Sequence, residues 1–332
     1  MSKAARRFLF VMDPLATTNP HGDTTFDFML TCHALGIEVF TCGIADLATE
    51  GRHGVARAQA TRVRRPTDDD ARFFSVEPAS WMRFDRFDAI WMRKDPPVDE
   101  TFTLSTLLLD RHDPKKTMVL NDPRGVRSAN EKLFWLAFDE LGPETVVSSR
   151  PDKLIEAIAR FGRGVVKPLS GAGGSGVMSF TVDDKNLRSA LDLLTLEGRR
   201  PAIAQRYVDD VRTGDKRVIL LGGDPIGAVL RVPRADDHRA NMHVGGSVKR
   251  ADISEDDRRI AARLKPALID NGLHFVGIDV IGGKLTEVNV TSPTGVQEID
   301  RLDDRSGESK LSMQTMRYAL ALLEKNGVDA DP

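Results

Sequence analysis

Asp279, Glu287 and Asn289 are the residues of this chain whose types and spacing point most directly to chemistry. Glu287 and Asn289 lie two apart in LTEVNV, so the period of two along a strand points both side chains to one face. Asp279 sits in VGIDVIG, ahead of Gly282 and Gly283, a pair able to take the positive φ values of a tight hairpin. The reading is a β-hairpin over 275–281 and 284–290 that gathers two carboxylates and an amide carbonyl. These are hard oxygen donors, suited to Mg²⁺ and not to zinc or copper. Because Mg²⁺ keeps several waters and shares its shell with substrate phosphates, so small a protein contribution suits a nucleotide site. Spacing alone also allows an exposed hairpin with ordinary polar residues.

A second chemical stretch, GVVKPLSGAGGSGVMSFTV, holds Gly171, Gly173 and Gly176 in the pattern G-x-G-x-x-G. In a dinucleotide fold a helix follows such glycines. Here VMSFTV follows and reads as a strand, which predicts a hairpin flap whose backbone N–H groups close over phosphate oxygens, with Lys167 as the nearby cation. A plain turn is the other reading. No G-x-x-x-x-G-K-[ST] occurs, which excludes a P-loop. Lys132 falls in the first turns of a helix expected to begin near Ser128 or Ala129, where it reaches a phosphate or water. The segment Gln205, Arg206, Tyr207, Val208 mixes polar and apolar groups as an adenine edge requires. A polar loop over 234–243, containing Asn241 and ending at Gly245 and Gly246, reads as a mobile cover.

The elements that must position these groups read as alternating strands and helices. RFLFVMDP is a buried strand stopped by Asp13 and Pro14, followed by a helix over 26–35 and the strand IEVFTCG. FDAIWM, 87–92, runs into RKDPP. At the carboxyl edge of an open α/β sheet Asp13 and Arg93 would face one crevice, unless proline merely fixes both as turns. Further strands are read at 117–120 and on either side of Gly222-Gly223, with Asp215 and Arg217 leading into one and Arg231 on its partner. Helices are read at 152–160, 187–197, 254–271 and 312–326, the third capped by Ser254 and stopped by Gly272.

Composition sets bounds around this site. A chain of 332 residues with 41% hydrophobic and 29% charged content is an ordinary globular protein, long enough for two domains or three small ones. A net charge of −2 predicts no nucleic-acid or membrane partner, and the Arg-rich run 57–65 reads as a solvated strand or loop. Two cysteines without a CxxC pattern suggest neither a disulfide framework nor structural zinc. With no signal-peptide core and no membrane-length apolar run, a cytoplasmic protein is the expectation.

Taken in order, MDP at Met12, MRKDPP at Met92, NEKL at Asn130, VVKPLSGAGG at Val165, GDKR at Gly214 and VGIDVIGGKLTEVNVTSPTG at Val276 resemble the bacterial glutathione synthetase family of ATP-grasp ligases over nearly the whole chain. The resemblance implies a mixed α/β ATP-grasp fold: an N-terminal Rossmann-like pre-ATP-grasp domain (1–124), a lid domain with the glycine flap (125–204) and a C-terminal catalytic domain (205–332). It implies ATP- and Mg²⁺-dependent ligation of γ-glutamylcysteine to glycine through an acyl phosphate, by a homotetramer. Asp279, Glu287 and Asn289 then resemble ligands of two Mg²⁺ ions, for which Mn²⁺ substitutes, and Lys132, Lys167, Gly171, Gly173, Gly174, Asp215 and the 205–208 segment resemble the ATP contacts. Arg217 and Arg231 match catalytic positions near the reacting carboxylate and phosphate, where a guanidinium holds two oxygens at once. Asp13, Arg93, Asn241, Gly245, Gly246, Ser292 and Thr294 match the peptide-binding side. One departure is Ser247-Val248-Lys249-Arg250, where the family more often has arginine directly after the glycines, which puts donor and acceptor preference in question. Competing readings are an ATP-grasp ligase for another peptide or amino acid, and a nucleotide-binding module without turnover.

Overall fold

The computed structural model describes residues 5–171, 174–232 and 247–328. Its first part is a sheet of eight strands: β1 (Arg7–Val11), β2 (Glu38–Cys42), β3 (Leu47–Glu50), β4 (His53–Val63), β5 (Phe74–Val76), β6 (Ser80–Arg83), β7 (Ala89–Met92) and β8 (Met118–Leu120). The order is β3-β4-β2-β1-β7-β8, with β5 and β6 also pairing with β4. β1 runs parallel to β2 and β7, and β7 to β8, while β4 is antiparallel to β2. The Arg-rich run thus lies largely on β4. Helices α1 (Thr24–Ala34, capped by Asp23) and α2 (Glu100–Leu109, capped by Asp99) belong to this part.

β1 shows why the fold takes this form. Its residues Phe8 and Phe10 enter one core with α1 and the last helix, and Leu9 and Val11 enter another on the opposite face. That is the period-two alternation of a strand buried on both sides. Both cores continue into the C-terminal sheet, which contributes Val218, Leu220 and Ile278 to one and Ile219 and Phe275 to the other.

Between these parts lies a four-stranded sheet, β9 (Thr145–Ser148), β10 (Arg163–Pro168), β11 (Met178–Thr181) and β12 (Ala202–Arg206), in the order β11-β10-β12-β9. It packs with α4 (Pro151–Phe161) and α5 (Leu187–Leu194) around its own core, which includes Leu154, Ile158, Val166 and Leu191. β10 and β11 are antiparallel, so the glycines join two strands, as VMSFTV indicates. The sheet spans 145–206, so the boundary expected at 204/205 falls within β12.

A helix beginning near Ser128 is not found. The Asp122 carboxylate accepts the Arg124 N–H and Pro123 takes the first helical position, so α3 starts earlier and covers Pro123–Ser128. It stops where Ala129 leaves helical geometry, which puts Lys132 in a turn ahead of a 3₁₀ segment, Phe134–Leu141.

The C-terminal sheet is β15-β14-β13-β16-β17, built from β13 (Asp215–Leu221), β14 (Asp224–Val232), β15 (Ser247–Arg250), β16 (Phe275–Ile281) and β17 (Lys284–Asn289). Helix α6 (Glu255–Asp270) begins in a capping box of Ser254 and Asp257. Two helices follow the last strand, α7 (Val296–Leu302), which the sequence patterns did not announce, and α8 (Leu311–Lys325).

Candidate active site

The hairpin of β16 and β17 turns at Gly282 and Gly283, with φ of 55° and 70°. Register sets the site: Asp279 faces Glu287 across this hairpin and Arg217 across β13, Gly277 faces Asn289, and Asp215 faces Arg231. Gly277 leaves the room that Arg217 needs, since a Cβ there would lie 3.0 Å from Arg217 Cδ and 2.8 Å from Pro293 Cβ.

Arg217 lies across that notch and donates to both oxygens of Asp279, Nε to Oδ1 at 2.5 Å and Nη2 to Oδ2 at 3.1 Å. Arg231 reaches Asp279 Oδ2 at 2.9 Å and Asp215 Oδ2 at 2.5 Å. All four groups are largely buried, the arginines and Asp279 almost wholly so. Burial would push Asp279 up, but the two guanidinium groups outweigh it and hold its carboxyl well below the usual range. Asp215 is pushed up to about 6 by burial, against the pull of Arg231 and with the Asp279 charge adding to the rise. Arg231 is held firmly protonated, its two carboxylates overcoming the cost of burial.

Lys132 and Lys167, from different elements, converge on Glu287 Oε1 at 3.7 and 3.8 Å. Lys132 also donates to the Gly171 carbonyl at 2.8 Å, tying its turn to the flap. Lys167 is lowered chiefly by burial, with Glu287 opposing. The two lysines are thus desolvated cations beside one partly exposed carboxylate, an arrangement ready for phosphate oxygens.

These groups line a cleft of about 470 Å³ between the middle sheet and the C-terminal sheet. Its lining includes the apolar residues Val165, Met178 and Ile281 and the 205–208 segment. Gln205 is buried with its amide donating to Thr145 Oγ1 at 2.8 Å, and the Arg206 side chain is committed to Glu144 and the Phe161 carbonyl. The Arg163 guanidinium stacks over the Tyr207 ring at 3.9 Å.

Ser292 and Thr294 also line the cleft. Ser292 Oγ donates to Asp95 Oδ1 at 2.5 Å, and the Thr294 carbonyl accepts from Arg217 Nη1 at 3.4 Å. Arg93 lies beneath this loop, donating to the Thr291 and Pro293 carbonyls at 3.5 and 3.0 Å, and burial lowers it to about 10. Asp13 accepts the Asp95 N–H at 3.0 Å and pairs with Lys94, also at 3.0 Å. Neither Arg93 nor Asp13 lines the cleft itself; both hold segments that do. Gly174 lines it with Gly171, whereas Gly173, Asn241, Gly245 and Gly246 lie outside the described residues.

Two charged cleft residues lie within the stretches RKDPP and NEKL without being singled out by the sequence. Asp95 is one, and Glu131 is the other, a buried carboxyl raised by burial and then by the Glu287 charge, against Lys132 and the Thr291 hydroxyl.

The donor set of Asp279, Glu287 and Asn289 suits a hard divalent cation. Asp215 Oδ1 is buried with no hydrogen-bond partner, and Glu287 meets its lysines only at long range. Asp279 keeps lone pairs beyond those its arginines use. The residues fit such an ion.

Comparison with known proteins gives the same picture over almost the whole chain. A family model described as the N-terminal domain of prokaryotic glutathione synthetase matches residues 7–127, and one described as its ATP-grasp domain matches residues 131–304. The chain is 42% identical over 317 residues to the glutathione synthetase of Thermosynechococcus vestitus, covering 93% of this chain and 98% of that relative. For the glutathione synthetase of Gloeobacter violaceus the figures are 40% over 328 residues, 96% and 99%. For that of Brucella melitensis biotype 1 they are 42% over 292 residues, 88% and 92%. Among solved structures, D-cycloserine synthetase DcsG superposes with a TM-score of 0.64 at 18% identity, over 96% of this chain and 99% of that one. The ATP-grasp ligase PsnB with precursor peptide and AMPPNP gives 0.59 at 18% identity, over 96% and 99%. At such identities these two structures speak for a shared ATP-grasp fold.

Proposed function

This chain belongs to the prokaryotic glutathione synthetase family of ATP-dependent carboxylate–amine ligases, and from that premise we propose how its cleft makes a peptide bond. The reaction is the joining of γ-glutamylcysteine to glycine, with ATP converted to ADP and phosphate. A free carboxylate has a poor leaving group; transfer of the γ-phosphoryl group to it gives an acyl phosphate, which the glycine amine displaces. The observation that carries this reading is the meeting of Lys132 and Lys167 at Glu287, one strand away from the Arg217–Asp279–Arg231 cluster.

Each group then has a task. The adenine lies against Val165, Met178 and Ile281 by the 205–208 segment, and the flap N–H groups and the two lysines hold the phosphates. Asp215 serves the nucleotide by fixing Arg231. Arg217 and Arg231, kept charged and aimed by carboxylates, orient the donor carboxylate and the phosphoryl oxygens. Asp279, Glu287 and Asn289 would hold Mg²⁺, two ions by family resemblance with Mn²⁺ as a substitute. When bound, it neutralises charge on the transferring phosphoryl group. Ser292 and Thr294 shape the peptide end, with Asp13 and Arg93 as its support, and Asn241, Gly245 and Gly246 are assigned to the covering loop on family grounds.

The test is Mg²⁺-dependent ADP release with γ-glutamylcysteine, with and without glycine, followed by product mass. Release that needs both substrates, with a glutathione mass, is the expected result; no release with this pair would move the reading to another donor or acceptor. Family resemblance further supports a homotetramer, checked by sedimentation; from the sequence we also propose a cytoplasmic setting, and among the described residues no helix is long and apolar enough to cross a membrane.

A further inference from the structure

Glu131 lines the cleft beside Lys132 and has no task in the assignments above. Its carbonyl accepts the Val288 N–H at 2.9 Å, between the Glu287 and Asn289 side chains on β17. Its carboxylate Oε1 accepts the Thr291 hydroxyl at 3.0 Å. One residue therefore bonds both the strand of hard donors and the first residue of the 291–294 loop.

The neighbouring residues give that bond its use. The Lys132 ammonium and the Asn130 amide donate to the Gly171 and Leu169 carbonyls at 2.8 and 3.5 Å, so the turn that carries Glu131 also carries the flap. From the opposite side Arg93 holds the Thr291 and Pro293 carbonyls. Arg93 thus fixes the loop's main chain to the N-terminal sheet. The Glu131–Thr291 bond fixes the same loop to the phosphate-binding turn. Thr291 is 5% exposed, so water does not replace this bond if the hydroxyl is lost.

We propose that Glu131 is a positioning residue for the ligation: by holding Thr291 it sets the 291–294 loop at the spacing from the Lys132 turn that lets the donor carboxylate meet the γ-phosphoryl group. The proposal rests on the ligase reading above. Its action is on alignment, which a displacement of about 1 Å degrades by two orders of magnitude in well-organised sites.

Steady-state kinetics on wild type, Thr291→Val, Thr291→Ser, Glu131→Gln and the Glu131→Gln/Thr291→Val pair test it. Valine keeps the shape and removes the donor, so kcat is expected to fall about 10- to 100-fold, the range for loss of a supporting hydrogen bond to a catalytic group. Serine keeps the hydroxyl and is expected to stay within roughly threefold of wild type, and the pair to be no slower than its worse member. KM for ATP is expected to change less than about threefold throughout, because the adenine end does not move. Wild-type kcat in Thr291→Val, a serine variant as slow as valine, or a KM for ATP that rises in step with the loss of kcat would each overturn the proposal. Failure of the ligase reading is separate: wild type itself would then release no ADP with γ-glutamylcysteine and glycine.

Discussion

At the scale of single residues, Gly277 shows a site made by an atom that is left out. Arg217 passes over it to reach Asp279, and a methyl group would have to push aside Arg217 Cδ or Pro293 Cβ. Gly277→Ala is therefore expected to lose about tenfold or more of turnover through a misplaced guanidinium, while thermal melting shows a folded protein. Unchanged kcat would mean that Arg217 does not act from this position. Glu287→Gln keeps size and removes the charge on which Lys132 and Lys167 converge. It is expected to retain the fold and leave at most a few per cent, roughly, of ligase activity; near-normal ADP release would remove Glu287 from the metal-holding set. Period-two spacing made Glu287 and Asn289 legible because their common face is a local property of one strand. Glu131 and Asp95 fell inside the quoted stretches NEKL and RKDPP, but their roles were not legible, since the partners that reveal them, Thr291 and Ser292, lie 160 and 197 residues away.

At the scale of elements, the strands at the centre of the sheets and five of the helices follow from patterns a single strand or helix carries, whereas short or peripheral elements such as β3, β5, β6, β9, β15 and α2, and the joints between elements, do not. The 254–271 helix was readable from Ser254 and Gly272 and is observed as Glu255–Asp270. The turn that carries Lys132 was not, because the capped start at Asp122 and Pro123 ends α3 before NEKL begins. Asn121, just past β8, is a joint of this kind. Its amide donates to the Phe275 and Val290 carbonyls at 2.8 Å each, and its carbonyl accepts the His274 and Phe275 N–H groups at 2.9 Å each. Asn121→Ala strands four main-chain groups, three of them in buried hydrogen bonds, and is expected to cost about 3 kcal/mol or more in urea unfolding. Asp300 links α7 to α8 by accepting the Leu311 N–H at 2.9 Å, and its Oδ2 is buried without a partner. Burial first, and then the nearby Asp27 carboxylate, push it up to about 6, against the Leu311 bond, Arg305 and Lys310. A carboxyl whose folded pKa is raised above the unfolded value takes its proton first in the folded state, so its charge destabilises at pH 7 and that penalty fades as pH falls through 6 toward 4. Asp300→Asn is therefore expected to melt higher than wild type at pH 7.5, with the gap closing by pH 5. A gap that does not depend on pH would show that the Asp300 charge is not the source.

At the scale of the whole molecule, the distribution of cores predicts which part moves. Two cores run through both the N-terminal and C-terminal sheets, and Arg65 reaches from one part to the other, pairing with Asp27 and donating to Gln297 at 2.6 Å. Those two parts are expected to behave as one body. The middle sheet buries its apolar side chains among themselves, in a core that includes Leu154, Phe161, Val166 and Leu191. Its ties across the cleft are polar: Lys132 to Gly171, Asn130 to Leu169 and Lys167 to Glu287. Such ties exchange for phosphate contacts at little net cost, while separating a shared apolar core costs about 25 cal/mol for each Å² exposed. The middle unit should therefore hinge as a rigid lid and close on nucleotide. Limited proteolysis checks this by the cleavage rate in the flap over residues 169–177. ATP, Mg²⁺ and γ-glutamylcysteine together are expected to slow flap cleavage, and Lys132→Ala, which removes one tie and one phosphate contact, to weaken that protection. Cleavage that is equally fast with and without the ligands would mean that the lid stays open through the reaction, and that water is kept from the acyl phosphate by other groups.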